Sequence, residues 1–168
     1  MIKPDVFFLG KEITEIKAKD LADLKEAATR SSLKRARFCM HKDHNDTMHE
    51  MIIAFRKGSY IRPHRHKEKI ESFHIIEGEL LVIFFDDNGN PTHRIKMSPY
   101  NSGETFFYRL SVCAWHMVIP ISEYVILHEI TNGPFVEGET EFSTWSPNES
   151  DSNEVTDFLS KVLNEKIS

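Results

Sequence analysis

Histidine and glutamate side chains are spaced between Gly58 and Gly78 in a way that suits metal binding. His64 and His66 are two residues apart, so on an extended strand both imidazoles point to the same side. Glu71 follows after four residues and would enter from the next strand. Imidazole nitrogens and a carboxylate oxygen suit one divalent transition metal ion (Fe, Mn, Ni, Co or Zn). Such a centre leaves positions open for water or substrate and can act as a Lewis acid or activate oxygen.

The same segment carries a known sequence motif. The run GSYIRPHRHKEKIESFHIIEG has glycine, five residues, His-x-His, four residues, glutamate, six residues and glycine. It therefore resembles the first motif of the cupin superfamily at every fixed position. The resemblance implies a cupin-type double-stranded β-helix, a jelly-roll barrel, and a metal bound by His64, His66, Glu71 and a third histidine about 50 residues later. That third histidine is His116.

The second cupin motif is less complete in this chain. Ser111 and Cys113 stand where the motif has proline and glycine, and Gly103 lies two residues earlier than the glycine that opens it. The Trp115-His116 pair still begins an apolar run, WHMVI. These departures affect the expected geometry of the turn before the WHMVI strand more than the expected role of His116 as a ligand.

From about residue 36 to residue 145 the chain resembles more narrowly the WbuC-type cupin metalloproteins. The shared landmarks are ARFCMH, GSYIRPHRHKEKIESF, ELLVIFFDDNG, the Trp-His pair and HEITNGPF. Such proteins are similar to ones encoded among bacterial surface-polysaccharide genes. The resemblance implies a link to activated-sugar or O-antigen metabolism, and it supplies no reaction.

Residues beside the expected ligands are candidates for substrate contact. Tyr60 and Arg62 share the parity of His64, so a regular strand would turn them inward, where they could hold an anionic or sugar substrate. A structural ion pair is the alternative for Arg62. Phe73 shares the parity of Glu71 and is expected in the pocket wall, whereas His74 should face away from the metal.

An enzyme would also need an acid or base beyond its metal ligands. The candidates are Tyr60, His128 and Glu129, and one of the last two should face inward because they are adjacent on a strand. For Cys113 a buried, unreactive thiol is favoured over a catalytic role. Three further histidines could form a second cluster, although their loop setting favours solvated or capping roles: His41, His44 and His49.

Short β-rich runs about 8 to 12 residues apart form the frame that would position these groups. They predict a sandwich or barrel and comprise MIIAF, SYIRP, ESFHII, ELLVIFF, ETFFY, WHMVI and EYVILHEI. A hairpin tip is expected at 87–90 and an unpatterned arm at 31–48, which could hold a short strand. A helix is predicted over 20–30, with Asp20 as its N-cap.

One domain is expected, with an N-terminal arm and helix at 1–34, a cupin barrel at 35–146, and a linker and C-terminal helix at 147–168. The last helix should dock on the barrel or on a second subunit through one apolar face, which consists of Val155, Phe158, Leu159, Val162 and Leu163. Together with the apolar ELLVIFF strand, this face predicts a homodimer.

Composition narrows the class of partner. The 168 residues carry a formal net charge of −5 and contain no long Lys/Arg block, so neither nucleic acid nor an anionic membrane is an expected partner. No apolar run reaches the length of a signal or membrane-spanning segment, which predicts a cytoplasmic protein. The two cysteines are too few for a disulfide framework.

Two functions are compatible with these features. One is an enzyme that uses its metal to isomerise, epimerise or oxygenate a small oxygen-rich substrate, for which a sugar or nucleotide-sugar derivative is expected. The other is a non-catalytic or regulatory cupin whose metal anchors a bound ligand. Fold alone does not separate them.

Overall fold

The computed structural model describes residues 5–165 and consists of two β-sheets flanked by two α-helices. The first sheet has the strand order β1-β2-β3-β10-β5-β8, and the second has the order β11-β4-β9-β6-β7. The strands are β1 (Val6–Phe8), β2 (Arg35–Cys39), β3 (Met48–Arg56), β4 (His64–His66), β5 (Glu71–Glu77), β6 (Leu80–Phe85), β7 (Pro91–Met97), β8 (Phe107–Leu110), β9 (Trp115–Pro120), β10 (Tyr124–Asn132) and β11 (Thr140–Phe142).

The chain passes back and forth between the two sheets. From β3 to β11 each strand lies in the sheet opposite to its predecessor, except that β6 and β7 form a hairpin within one sheet. Pairing is antiparallel throughout this part, and a parallel pair joins β1 to β2. This alternation is that of a jelly roll, so the predicted mainly β, cupin-type fold is confirmed.

The strands differ from the predicted runs in several places. The run SYIRP at 59–63 is not a strand, and the ladder begins only at His64. Pro63 lacks a backbone N–H group and so cannot donate to a ladder. Three strands had not been predicted from the sequence, namely β1, β7 and β11. The expected short strand in the arm is β2, and the expected hairpin tip joins β6 to β7.

Both motif glycines occupy turns that a side chain would strain. Gly58 has φ +80° and Gly78 has φ +83°. A Cβ atom on Gly78 would lie 2.1 Å from the backbone oxygen of Tyr124. Glycine is therefore required where β5 turns into β6, whether or not a metal is bound.

Helix α1 (Ala18–Arg30) covers the outer face of the first sheet. Leu24 and Ala28 are buried against Ala36 and Ala54 of β2 and β3. The N-cap is Lys17, so the prediction of Asp20 as the N-cap is wrong. Asp20 lies three residues into the helix, where its Oδ2 accepts a hydrogen bond from the Lys17 backbone N–H at 2.7 Å. A carboxylate at the third position of the helix thus pairs with the backbone N–H of the N-cap residue, which would otherwise lack a partner.

Helix α2 (Ser152–Asn164) packs on the outer face of the second sheet. Val155 and Val162 are buried against a cluster that includes Ile83 and Met117, whereas Leu163 is 41% exposed. The helix therefore docks on its own barrel, one of the two predicted alternatives. Among residues 5–165, no helix is long and apolar enough to cross a membrane.

Candidate metal centre

Three histidine side chains converge inside the barrel. His64 of β4 and His116 of β9 are register partners, and His66 lies two residues along β4. Each residue offers one ligand atom, and these atoms all lie within 4.8 Å of one another. The shared direction of alternate strand residues therefore brings together the predicted imidazoles.

The second ring nitrogen of each imidazole is already engaged. Nδ1 of His64 lies 2.8 Å from the Arg62 carbonyl oxygen, and Nδ1 of His116 lies 2.9 Å from the Ala114 carbonyl oxygen. Nδ1 of His66 lies 3.1 Å from Oγ1 of Thr140. An N–H donated to a carbonyl fixes the tautomer and leaves a lone pair on Nε2, which is how metal-binding histidines are commonly oriented.

Glu71 completes this group, which we call the His/Glu cluster (His64, His66, Glu71 and His116). Its Oε1 lies 3.0 Å from Nε2 of His116, and its Oε2 lies 3.6 Å from Nε2 of His66. The Tyr108 hydroxyl donates to Oε1 at 2.8 Å. Burial alone would raise the pKa of Glu71, but the close imidazoles of His116 and His66, which donate to it when they are protonated, outweigh burial and lower the pKa, so the carboxylate is ionised.

The donor set fits a divalent metal ion. Burial, together with the neighbouring His116, lowers the pKa of His64 to about 3, so this ring stays neutral and able to coordinate. Three imidazole nitrogens and one carboxylate oxygen are a usual environment for first-row transition metals. The cluster could therefore hold the metal ion predicted from the sequence.

The cluster opens into two adjoining cavities. One has a volume of about 300 Å³ and contains the apolar side chains of Phe73 and Leu127 in its wall. The other has a volume of about 540 Å³ and extends toward the histidines of the 41–49 segment. Both are lined by His66, Glu71, Glu129 and Arg37, so they meet beside the cluster.

Glu129 is the inward-facing member of the adjacent pair on β10. It pairs in register with Phe73 and lines both cavities. Burial and the charge of Glu71 raise its pKa to about 7, against the opposing effect of Arg37. His128 faces the other side of the sheet, where its Nε2 lies 2.9 Å from Oε1 of Glu50. Of the two candidates, only Glu129 is near the cluster.

Tyr60 and Arg62 do not line either cavity, in contrast to the parity prediction. Because residues 59–63 are not a strand, alternation does not govern their direction. The Tyr60 hydroxyl donates to the Pro147 carbonyl oxygen at 3.1 Å, and burial raises its pKa to about 12. The Arg62 guanidinium donates to Ser143 and Asn148. Both side chains therefore fasten the segment that precedes α2.

Of the other residues considered from the sequence, two lie where they were expected and one does not. Phe73 is buried in the cavity wall and packs edge-on against Tyr108, with ring centroids 5.1 Å apart. His74 is exposed on the opposite face of β5, as expected. Cys113 is exposed, so the expectation of a buried thiol is wrong for this residue. The turn that carries it lies outside the barrel.

The histidines of the 41–49 segment are partly assembled. His41 and His49 stack with ring centroids 4.3 Å apart, and both are buried. Burial lowers the pKa of each, so the pair is neutral near pH 7. His44 is exposed and contacts Phe8. All three line the larger cavity; His44 is exposed in its loop as expected, whereas the burial of His41 and His49 differs from the expected solvated setting.

Sequence reasoning missed Arg37 and Tyr108. Arg37 lines both cavities, and Tyr108 holds Glu71. A signal for Arg37 was present in the run RARFC, where residues 35, 37 and 39 share one strand face. Tyr108 lies in the predicted run ETFFY, but alternation within that run does not say which strand its side chain meets.

Residues 16–97 match the family described as a domain of unknown function, DUF6016. The match spans a little under half of the 168 residues and includes three of the four cluster residues, His116 lying outside it. No curated protein matches the sequence.

Several solved structures are similar in fold. The DMSP lyase structure of RdDddP and RnDddQII has 11% identity and a TM-score of 0.49 over 66% of this chain and 53% of that one. The Cnp3 cupin domain of Schizosaccharomyces pombe has 15% identity and a TM-score of 0.45 over 59% and 64%. The Lactobacillus farciminis oxalate decarboxylase formate complex has 19% identity and a TM-score of 0.46 over 73% and 33%.

The chain spans less than two thirds of the length of the first solved structures that it matches. All of these TM-scores lie below 0.5. The roles of residues in this chain therefore rest on its own geometry.

Proposed function

We propose that this protein is a metal-dependent cupin enzyme that acts on a small, oxygen-rich substrate. The observation that carries the proposal is the position of Glu129. This half-buried carboxyl group lines the cavity beside the His/Glu cluster, and none of the cluster's hydrogen bonds uses it. A protein that only anchors a ligand on a metal has no need of a second acid in the cavity beside that metal.

Each part of the site has a separate task in this proposal. A divalent ion, when bound by the cluster, supplies Lewis-acid or oxygen-activating chemistry. Tyr108 keeps Glu71 in position through its hydroxyl group. Phe73 and Leu127 provide apolar walls that limit access of water. Glu129 exchanges a proton between its carboxyl oxygen and the substrate, and its pKa of about 7 suits either direction of transfer.

A substrate derived from a sugar is the class that we favour. The resemblance to WbuC-type proteins and their surface-polysaccharide context supports it. The smaller cavity, at about 300 Å³, is near the lower end of small-molecule sites and matches one sugar-sized unit. Isomerisation or epimerisation next to a carbonyl group suits a single carboxyl base such as Glu129.

Turnover by matched variants tests the proposal. Metal-free protein would be reconstituted with Fe(II), Mn(II), Ni(II), Co(II) or Zn(II) and screened against sugars, sugar acids and nucleotide sugars. Glu129→Gln should retain the metal and lose about 100-fold or more of kcat. His128→Gln, next in sequence but on the other sheet face, should keep wild-type kcat. Binding of a compound without turnover by any metal form would support the regulatory alternative instead.

We further propose that the protein forms a homodimer. Helix α2 does not support this proposal, because its apolar face packs on its own barrel. The support lies at β8, which is the edge strand of the first sheet. Phe107 is 50% exposed there, and Tyr100 is 77% exposed nearby. A mass measurement by light scattering at micromolar concentration should give twice the chain mass.

A further inference from the structure

Arg37 places a positively charged side chain inside the barrel. It is the middle residue of β2 and pairs in register with Ile53 of β3. Register partners on an antiparallel pair project to the same side, and Ile53 belongs to the core between the sheets. The neighbours Ala36 and Phe38 project the other way and pack against α1. Arg37 therefore points inward, where it lines both cavities.

Within residues 5–165, the Arg37 side chain has no partner. It forms no hydrogen bond there and no ion pair within 4.0 Å, and its Nε atom is buried. Arg35, on the same face of β2, differs because it donates to the Tyr60 carbonyl oxygen and pairs with Glu149 at 3.2 Å. Buried donors nearly always have partners, so an unpaired inward guanidinium suggests a ligand.

The surrounding charges leave Arg37 available to an anion. Lys69, the other cation of the larger cavity, pairs with Glu139 at 3.3 Å. Glu71 is held by Tyr108 and the imidazoles. Glu129 feels the charge of Arg37, yet the two groups are not within ion-pair distance. A bound divalent ion would add positive charge to the same cavity.

We propose that Arg37 binds a carboxylate group of the substrate, which deepens the proposed function by naming the sugar-derived substrate as a small sugar acid. The planar guanidinium matches a carboxylate through two parallel hydrogen bonds. The acidic neighbours Glu71 and Glu129 favour a singly charged group over a phosphate dianion. Arg37 and Glu129 line the same cavities as His66 and Glu71 of the cluster, so both are available to the bound acid.

A pair of isosteric probes tests this role without knowledge of the substrate. Glycolate and glycolamide differ only in replacement of the carboxylate by a neutral amide. Their affinities would be measured by calorimetry on Zn(II)-reconstituted protein and again on metal-free protein. Wild type should bind glycolate at least about tenfold more tightly than glycolamide in the Zn(II) form, and should keep a smaller preference without metal.

Variants then assign the preference to a residue. Arg37→Met should remove the preference for glycolate in the metal-free form and reduce it in the Zn(II) form, while Zn(II) stoichiometry and the melting curve show that the barrel is intact. Arg37→Lys keeps the positive charge but lacks the planar guanidinium with its two parallel donors. It should therefore retain part of the preference for glycolate over glycolamide. Arg109→Met removes an exposed arginine from the outer face of β8 and should change nothing.

Two outcomes would overturn the inference. One is a wild type with equal affinity for both probes, and the other is an Arg37→Met variant that keeps the wild-type preference. The latter result would mean that Arg37 only balances the charge of Glu129. Failure of the proposed function is detected separately, as absence of bound metal or an unaffected kcat in Glu129→Gln.

Discussion

His64 and His116 are register partners across the β4–β9 pair, with ring centroids 4.5 Å apart. One backbone pairing thus directs two imidazoles to the same point, and the pleat adds His66 two residues later. The site depends on the hydrogen-bonded ladder of the second sheet more than on any loop.

Metal affinity should depend on pH through His116 and not through His64. Burial acts to lower the pKa of His116, but the hydrogen bond and charge of Glu71 raise it above its ordinary value, whereas the pKa of His64 is about 3. Protons therefore compete at His116 before they compete at His64. Zn(II) affinity should fall with decreasing pH, but less steeply than for three displaced protons. Competition with a chromophoric chelator from pH 5.5 to 8 measures this slope.

A slope of about a thousandfold per pH unit, as for three equivalent histidines, would contradict this prediction. His74→Ala should leave the curve unchanged, since this exposed ring lies on the other face of β5.

Glu129→Gln should change how the stability of the metal-free protein depends on pH. The folded-state pKa of about 7 exceeds the ordinary value of 4.5. The contribution of the protonated Glu129 to the free energy of unfolding is therefore fully present below about pH 4.5. It is lost as pH rises through about 7, because the carboxyl group then ionises in the folded state. Glutamine mimics the protonated form. Between pH 4.5 and pH 8 the free energy of unfolding should shift in favour of the variant by roughly 3 kcal/mol.

Urea unfolding of both proteins across this range, with a chelator present, measures the difference. A difference that stays constant with pH would show that Glu129 titrates normally.

Arg62→Met should weaken the fold and spare the site. Its guanidinium donates to Ser143, Ser146 and Asn148, so the change releases the segment that precedes α2. We expect a loss of about 1 to 3 kcal/mol in the free energy of unfolding. Zn(II) stoichiometry and glycolate affinity should remain at wild-type levels. A loss of glycolate affinity without a loss of stability would instead show that Arg62 contacts the substrate.

The sequence predicted the parts of this protein that depend on local pattern. Alternation brought His64 and His66 to one face, and the motif spacing identified Glu71 and His116. Arg62 was misplaced because parity holds only within a strand, and the ladder begins after Pro63.

Arg37 and Glu129 were harder to assign because their roles depend on contacts between distant strands. Glu129 could not be separated from His128 until the register with Phe73 was known. The location of α2 was also undetermined, since an amphipathic face indicates that something covers it and does not say what.

The docking of α2 can be tested with two neighbouring residues. Val162 is 2% exposed, whereas Leu163 is 41% exposed. Val162→Ala should therefore lower the free energy of unfolding by about 2 kcal/mol. Leu163→Ala should stay within about 0.5 kcal/mol of wild type. Denaturant unfolding at one pH measures both, and equal losses would mean that the helix covers another surface.

Metal content of matched histidine variants tests the central claim most directly. Wild type and His74→Ala, each purified without an affinity tag, should carry about one metal ion per chain by elemental analysis. His64→Ala/His116→Ala should carry almost none. Chelation should lower Tm by roughly 5 to 10 °C in wild type and His74→Ala, and should leave the double variant unchanged. Stoichiometric metal in the double variant, or its loss from His74→Ala, would contradict the proposed site.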